Sequence, residues 1–130
     1  MEQACRILVV DDDQDTLDLI RLTLTTAGYS VDTVPSGNEA LKSISERNYD
    51  LILLDVMMPQ VSGFDVLRGL QPITSAPPVI ILTARKRRED KAIGLKLGAA
   101  GYLVKPVTRG NLLDIIERHL KRHAHSETSH

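Results

Sequence analysis

Arg6-Ile7-Leu8-Val9-Val10-Asp11-Asp12-Asp13 is the stretch on which the fold turns. An unbroken aliphatic run, rich in Val and Ile, has no polar alternation, so it reads as a strand covered on both faces. It stops abruptly at three aspartates, which places a polar loop at its carboxyl end. The same design recurs along the chain. Asp50–Leu54 ends at Asp55, Val79–Leu82 ends at Thr83, and Tyr102–Val104 ends at Lys105-Pro106. Ser30–Val34 gives a further, shorter strand.

Helical spacing fills the intervals. Leu17, Ile20, Leu24 and Ala27 recur on one face and stop at Gly28, a residue suited to a helix end. Ala40, Leu41 and Ile44 mark a second helix ending near Asn48, and Phe64, Leu67 and Leu70 a short third. Ala92, Leu95 and Leu97 lie in a fourth that stops at Gly98, and Leu112, Ile115, Ile116, His119 and Leu120 line a fifth. Pro35-Ser36-Gly37, Pro59 to Gly63 and Pro72 to Pro78 read as turns and loops. Five strands alternating with five helices imply an α/β, doubly wound, five-stranded parallel sheet with helices on both faces and right-handed crossovers. The expected domain spans residues 1–122. The polar, aperiodic residues 123–130 read as a tail or the start of a linker, and His123, His125 and His130 as part of it.

Composition agrees and excludes much else. A chain of 130 residues with 42% hydrophobic and 25% charged residues is neither disordered nor collagen-like. No apolar run reaches the roughly 18–20 residues of a membrane span. The single cysteine, Cys5, permits no intramolecular disulfide and no cysteine-based metal site, and reads as a small hydrophobe at a strand start. The N-terminus lacks a signal-peptide pattern, so a cytoplasmic setting is expected. With three Tyr, one Phe and no Trp, the core is aliphatic, and direct nucleic-acid binding by base stacking is not expected. The net charge of -1 conceals an asymmetry. Residues 1–83 carry 5 basic and 12 acidic side chains, whereas residues 84–123 carry 11 basic and 4 acidic ones. One region of the molecule is therefore acidic and another basic.

Open parallel sheets bind ligands beyond the carboxyl ends of their strands. Here those ends gather Asp11, Asp12, Asp13, Asp55, Thr83 and Lys105. Carboxylates held together repel unless a cation joins them. Hard oxygen ligands with room for water and phosphate suit Mg²⁺. Lys105 supplies a point charge for a carboxylate or phosphoryl oxygen, and Thr83 a hydroxyl donor. A carboxylate can also act as a nucleophile and form an aspartyl phosphate. For Asp13, at the start of a helix, the reading is a cap or a dipole partner.

Ile7–Asp13, Leu53-Leu54-Asp55-Val56-Met57-Met58-Pro59, Ile81-Leu82-Thr83-Ala84 and Gly101-Tyr102-Leu103-Val104-Lys105-Pro106 together resemble the receiver domain of bacterial two-component response regulators. The resemblance covers roughly residues 5–122. It implies a flavodoxin-like (βα)5 fold with strand order 2-1-3-4-5. It further implies that Asp55 is the phosphoacceptor, and that Asp11, Asp12, Asp55 and the backbone carbonyl of Met57 hold Mg²⁺. Thr83 and Tyr102 resemble a switch pair, and Ala84 and Lys105 the phosphate-binding groups. The Lys105-Pro106 peptide is cis in this family. The implied partners are a sensor histidine kinase or phosphotransfer protein upstream, and a downstream protein or effector domain. The output face would be the fourth helix, fifth strand and fifth helix.

The family's winged-helix branch usually carries two acidic residues and an arginine for a symmetric phosphorylation-dependent dimer. The corresponding positions are Ala100, Gly101 and Ile115, which puts that dimer mode in doubt. Other readings stay open at this point. A receiver fragment of a longer transcriptional or enzymatic regulator fits the same residues. A small Mg²⁺-dependent phosphatase needs an acid/base aspartate two residues after the nucleophile, where Met57 stands. A dinucleotide or P-loop site needs glycines where this chain has aspartates. A pseudo-receiver is disfavoured because every acceptor residue is present. Arg85-Lys86-Arg87-Arg88, at the start of the fourth helix, reads as a solvated loop and helix face or as a docking surface for an acidic partner. Met57 and Arg85 would border the path of a hydrolytic water. Neither is an amide or an acid, so a long-lived phosphorylated state is expected.

Overall fold

A computed structural model describes residues 5–56, 62–73, 76–83 and 88–128, with 88–91 and 121–128 described by their backbone alone. Strands β1 (Arg6–Val10), β2 (Ser30–Val34), β3 (Leu51–Asp55), β4 (Val79–Thr83) and β5 (Gly101–Val104) alternate with helices. The helices are α1 (Gln14–Thr26), α2 (Gly37–Glu46), α3 (Gly63–Leu70), α4 (Arg88–Lys96) and α5 (Arg109–Thr128). All strand pairings are parallel, in the order β2-β1-β3-β4-β5. This is the expected doubly wound flavodoxin-like fold.

Successive side chains of a strand point to opposite faces, and the sheet sorts its aliphatic residues accordingly. Leu8, Val10, Ile52, Leu54 and Ile81 pack with Ala40, Val66, Leu67 and Leu70 from α2 and α3. Ile7, Val9, Leu51, Leu53, Ile80 and Leu82 pack with Leu17, Ile20 and Leu24 of α1 and with Leu112, Ile115 and Ile116 of α5. Unbroken aliphatic runs serve both cores at once, which is why the strands carry no polar alternation.

Local signals set the helix ends. Asp13 caps α1, accepting from the Thr16 amide at 3.2 Å. Gly28, at φ 97°, turns the chain out of α1 into β2, and Gly98, at φ 103°, does the same after α4. Ser62 and Asp65 form a reciprocal capping box at the start of α3.

Several boundaries shift from those read in the sequence: β3 begins at Leu51, β4 takes in Thr83, β5 takes in Gly101 and α2 ends at Glu46. β3 takes in Asp55, which pairs with Leu82. α4 starts at Arg88, within the basic run expected at the start of the fourth helix. α5 continues to Thr128, so residues 123–128 extend the helix where the sequence suggested a polar tail. No Gly or Pro occurs in residues 111–128, so the sequence carries no breaker that would end the helix earlier.

Candidate functional site

Parallel pairing in register brings the carboxyl ends of β1, β3, β4 and β5 to one rim. Asp11 follows β1 directly, Asp55 ends β3, Thr83 ends β4, and Lys105 follows β5. Asp11, Asp55 and Thr83 are 0%, 3% and 2% exposed. They are the buried polar or charged residues among those described. A carboxylate so buried is stabilised only by donors and cations held against it.

Those partners are present. The Asp11 amide donates to the Val34 carbonyl at 3.2 Å, which fixes the first residue past β1 to β2. One Asp11 oxygen accepts from the Asp13 amide at 2.9 Å. The other accepts from Lys105 Nζ at 2.6 Å. Lys105 Nζ also lies 3.5 Å from Asp55 Oδ2, so a single ammonium bridges two buried carboxylates. The Lys105 amide donates to the Thr83 carbonyl at 2.7 Å, tying its backbone to β4. Burial alone would push the Lys105 pKa down. The hydrogen bond to Asp11 and the charges of Asp55 and Asp11 outweigh it, and the net shift is upward from the ordinary lysine value.

Asp12, the exposed neighbour, completes the acidic group. Asp11, Asp12 and Asp55 each offer an oxygen, all within 4.8 Å of one another. The donor set is hard oxygen only, partly buried and partly open to water. It fits a hydrated divalent cation such as Mg²⁺ and suits neither a soft nor a nitrogen-loving metal. Asp13 stands apart as the α1 cap. Its pKa lies below the ordinary aspartate range, chiefly through the hydrogen bond from the Thr16 hydroxyl at 2.5 Å.

The Lys105-Pro106 peptide is cis. Tyr102 lies in β5 opposite Ile81 and is 37% exposed. Met57, Ala84 and Arg85 lie outside the described residues, as does the basic run apart from the backbone of Arg88. Of the three positions that bear on the dimer mode, Ala100 is exposed, Gly101 half-buried and Ile115 buried in the core under α5. Among the described residues no helix is long and apolar enough to cross a membrane.

Gly63 is a part of the site that the sequence did not single out. Its Cα faces the peptide that joins Asp55 to Val56 so closely that a Cβ would collide with the Asp55 carbonyl oxygen. The only available cue was a glycine at the junction of a loop and an amphipathic run, which signals a turn far more often than a steric contact.

A doubly wound sheet with an acidic cluster and a lysine at its switch point defines a class of phosphate-handling α/β domain. Residues 7–117 match the family described as the response regulator receiver domain, and the chain belongs to that family. It is 42% identical over 116 residues to a transcriptional regulatory protein of Bacillus subtilis, YkoG, covering 89% of this chain and 51% of that protein. It is 39% identical over 124 residues to the transcriptional regulatory protein PrrA of Mycobacterium tuberculosis, covering 95% and 53%. The chain thus spans about half the length of the curated relatives it matches. Among solved structures it superposes on the chemotaxis protein CheY4 of Vibrio cholerae with TM-score 0.86 and 33% identity, covering 90% of this chain and 99% of that one. A CheY-like receiver domain from Methanospirillum hungatei gives TM-score 0.90 at 29% identity, covering 95% and 99%. The family's role is phosphorylation-dependent signalling, so this chain is a signalling domain.

Proposed function

We propose that the domain takes a phosphoryl group onto Asp55, with Mg²⁺, from a phosphohistidine of a sensor kinase or phosphotransfer protein. The observation that carries this reading is the cluster of Asp11, Asp12 and Asp55, with Lys105 Nζ 2.6 Å from one buried carboxylate and 3.5 Å from another. Asp11, Asp12, Asp55 and the Met57 carbonyl would hold the metal. Bound there, Mg²⁺ would offset the negative charge of the cluster and of the incoming phosphoryl group. An Asp55 carboxylate oxygen forms the new O–P bond as the P–N bond of the donor histidine breaks. Lys105 then pairs with a phosphoryl oxygen, Thr83 donates its hydroxyl, and Ala84 offers its backbone amide. The domain catalyses no reaction other than its own phosphorylation and dephosphorylation.

The docking surface for the donor adjoins the site. A cleft of about 480 Å³ between α1 and the start of α5 is lined by Leu19, Ile20, Lys105, Val107 and Leu112. Leu19 of that lining is exposed, as is Leu22 on the same helix. The same lysine therefore borders both the acceptor carboxylates and the apolar cleft. Output runs through α4, β5 and α5, where Thr83 and Tyr102 act as the switch pair and a downstream protein or an effector domain reads the change. The half-length match to transcriptional regulators favours an effector domain in the same polypeptide.

The test is incubation with Mg²⁺ and acetyl phosphate. Acid-labile phosphate is expected on the wild type and absent from Asp55→Asn or after chelation of Mg²⁺. Equal labelling of Asp55→Asn would overturn the assignment.

A further inference from the structure

We propose that Gly63 is a positioning residue for the acceptor site, resting on the reading of Asp55 as a Mg²⁺-dependent phosphoacceptor. Lacking a side chain, it lets the first turn of α3 close on the Asp55–Val56 peptide and hold the acceptor carboxylate in register with Asp11, Asp12 and Lys105. Positive φ occurs among the described glycines at Gly28 and Gly98, so Gly63 has a backbone any residue adopts. It opens a helix, where glycine is disfavoured relative to alanine. Space is the remaining reason. A Cβ at Gly63 would strike the Asp55 carbonyl oxygen and lie 2.6 Å from Val56 Cα and 3.0 Å from the Asp55 carbonyl carbon.

All three are backbone atoms, which cannot rotate aside. Both sides of the contact are also anchored. Asp55 pairs with Leu82, and the Val56 amide donates to the Leu82 carbonyl at 3.3 Å. On the helix side, the Asp65 carboxylate accepts from the Ser62 amide at 3.0 Å, and the Ser62 hydroxyl accepts from the Asp65 amide at 3.3 Å. Val66, Leu67 and Leu70 fix the rest of α3 in the core. A methyl group at Gly63 therefore displaces the peptide whose Cα carries the acceptor carboxylate. Other tight glycines differ in kind. A Cβ at Gly94 meets the Ile81 Cδ1 atom, and one at Gly69 lies 3.1 Å from Leu41 Cδ2, both flexible side-chain ends.

The experiment compares Gly63→Ala with Gly69→Ala, on the same helix, and with Gly94→Ala, beside β4. Each full-length chain is assessed for stability by urea unfolding, for Mg²⁺ affinity by calorimetry and for acetyl phosphate labelling. Gly63→Ala is expected to weaken Mg²⁺ binding by about tenfold or more and to slow labelling at saturating Mg²⁺. The two controls should keep wild-type affinity whatever stability they lose. Wild-type affinity in Gly63→Ala, or affinity lost by the controls in step with stability, overturns the proposal. Should Gly63→Ala not fold in buffer, the same Mg²⁺ titration of all three variants is run in sucrose, which favours the compact state; weakened affinity confined to Gly63→Ala supports the proposal and wild-type affinity there refutes it. A wild type that neither binds Mg²⁺ nor labels would instead sink the phosphoacceptor reading itself.

Discussion

Strands β1, β3 and β4 bury nearly every residue, whereas β5 leaves all four of its residues partly or well exposed. Leu17, Ile20 and Leu24 of α1 are buried, while Ile93 and Leu95 of α4 are exposed, as are Leu19 and Leu22 of α1. The three carboxylates of the site hang from the central strands and their first loop, so their mutual repulsion is borne by the most buried part of the sheet. The cation that offsets it comes from the end of β5, the more exposed edge. Under the proposed function, a phosphoryl group that competes for Lys105 pulls on that edge first.

Truncation of apolar side chains should give the largest difference between the two regions. Leu53→Ala removes a fully buried side chain from β3, which pairs with β1 on one side and β4 on the other. It is expected to cost about 3 kcal/mol, within the range for core leucines. Leu95→Ala acts on a side chain that is 55% exposed and should cost less than about 0.5 kcal/mol. Urea midpoints at constant slope measure both, and comparable losses would erase the distinction between centre and edge.

The central region was also the more legible one. Aliphatic runs ending in Asp11, Asp55 and Thr83 state both the burial and the strand end, because runs so short and rich in Val, Ile and Leu, stopped at a polar residue, suit a strand covered on both faces. The edge elements write less in the sequence. α5 continues past its periodic residues to Thr128, because periodicity records only the face that is buried. Contacts that depend on the tertiary fold leave no trace at all. Asp32 accepts from the Tyr49 hydroxyl at 2.8 Å and pairs with Arg6 and Arg47 at 3.5 and 3.3 Å, joining β1, β2 and the α2–β3 turn. No spacing rule links those four residues. Gly63 is the same case within the site, since its meaning lies in what stands opposite it.

Lys105 joins the two regions, and its removal tests the junction. Lys105→Met takes the ammonium away from buried Asp11 and Asp55 while keeping the length of the side chain. In metal-free protein at neutral pH the expected loss is about 3 kcal/mol, since stripping the cation from a buried pair leaves desolvated charge. The pH dependence fixes the sign. Hydrogen bonding and attraction raise the folded-state pKa above its ordinary value despite burial. The Lys105 contribution is therefore complete below the unfolded value of about 10.4 and is lost as pH rises through the higher folded value. Urea unfolding with a chelator between neutral and strongly alkaline pH should show the wild type converging on the variant at the alkaline end. A constant gap across that range would mean that the ammonium contributes nothing to the centre.

The smallest effect lies at the rim, where Asp13 feels both regions. Its carboxylate is exposed, so any change there appears in titration more clearly than in stability. The Thr16 hydroxyl, 2.5 Å away, is the main reason its pKa falls below the ordinary aspartate range. The Thr16 amide adds to this, and the charge of Lys105 acts in the same direction more weakly. A depressed carboxylate contributes stability above its unfolded pKa and loses it as pH falls through the folded value, so the window lies in the acid range. Carboxyl-carbon NMR titration of wild type, Thr16→Val and Lys105→Met separates the two influences. Thr16→Val should return the Asp13 midpoint most of the way to the ordinary range, because a short hydrogen bond to an ionised acceptor outweighs a more distant, solvent-screened charge. Lys105→Met should move it upward by less. The opposite ranking would show that the β5 edge, through its lysine, governs the electrostatics of the α1 turn, and that centre and edge are one electrostatic unit.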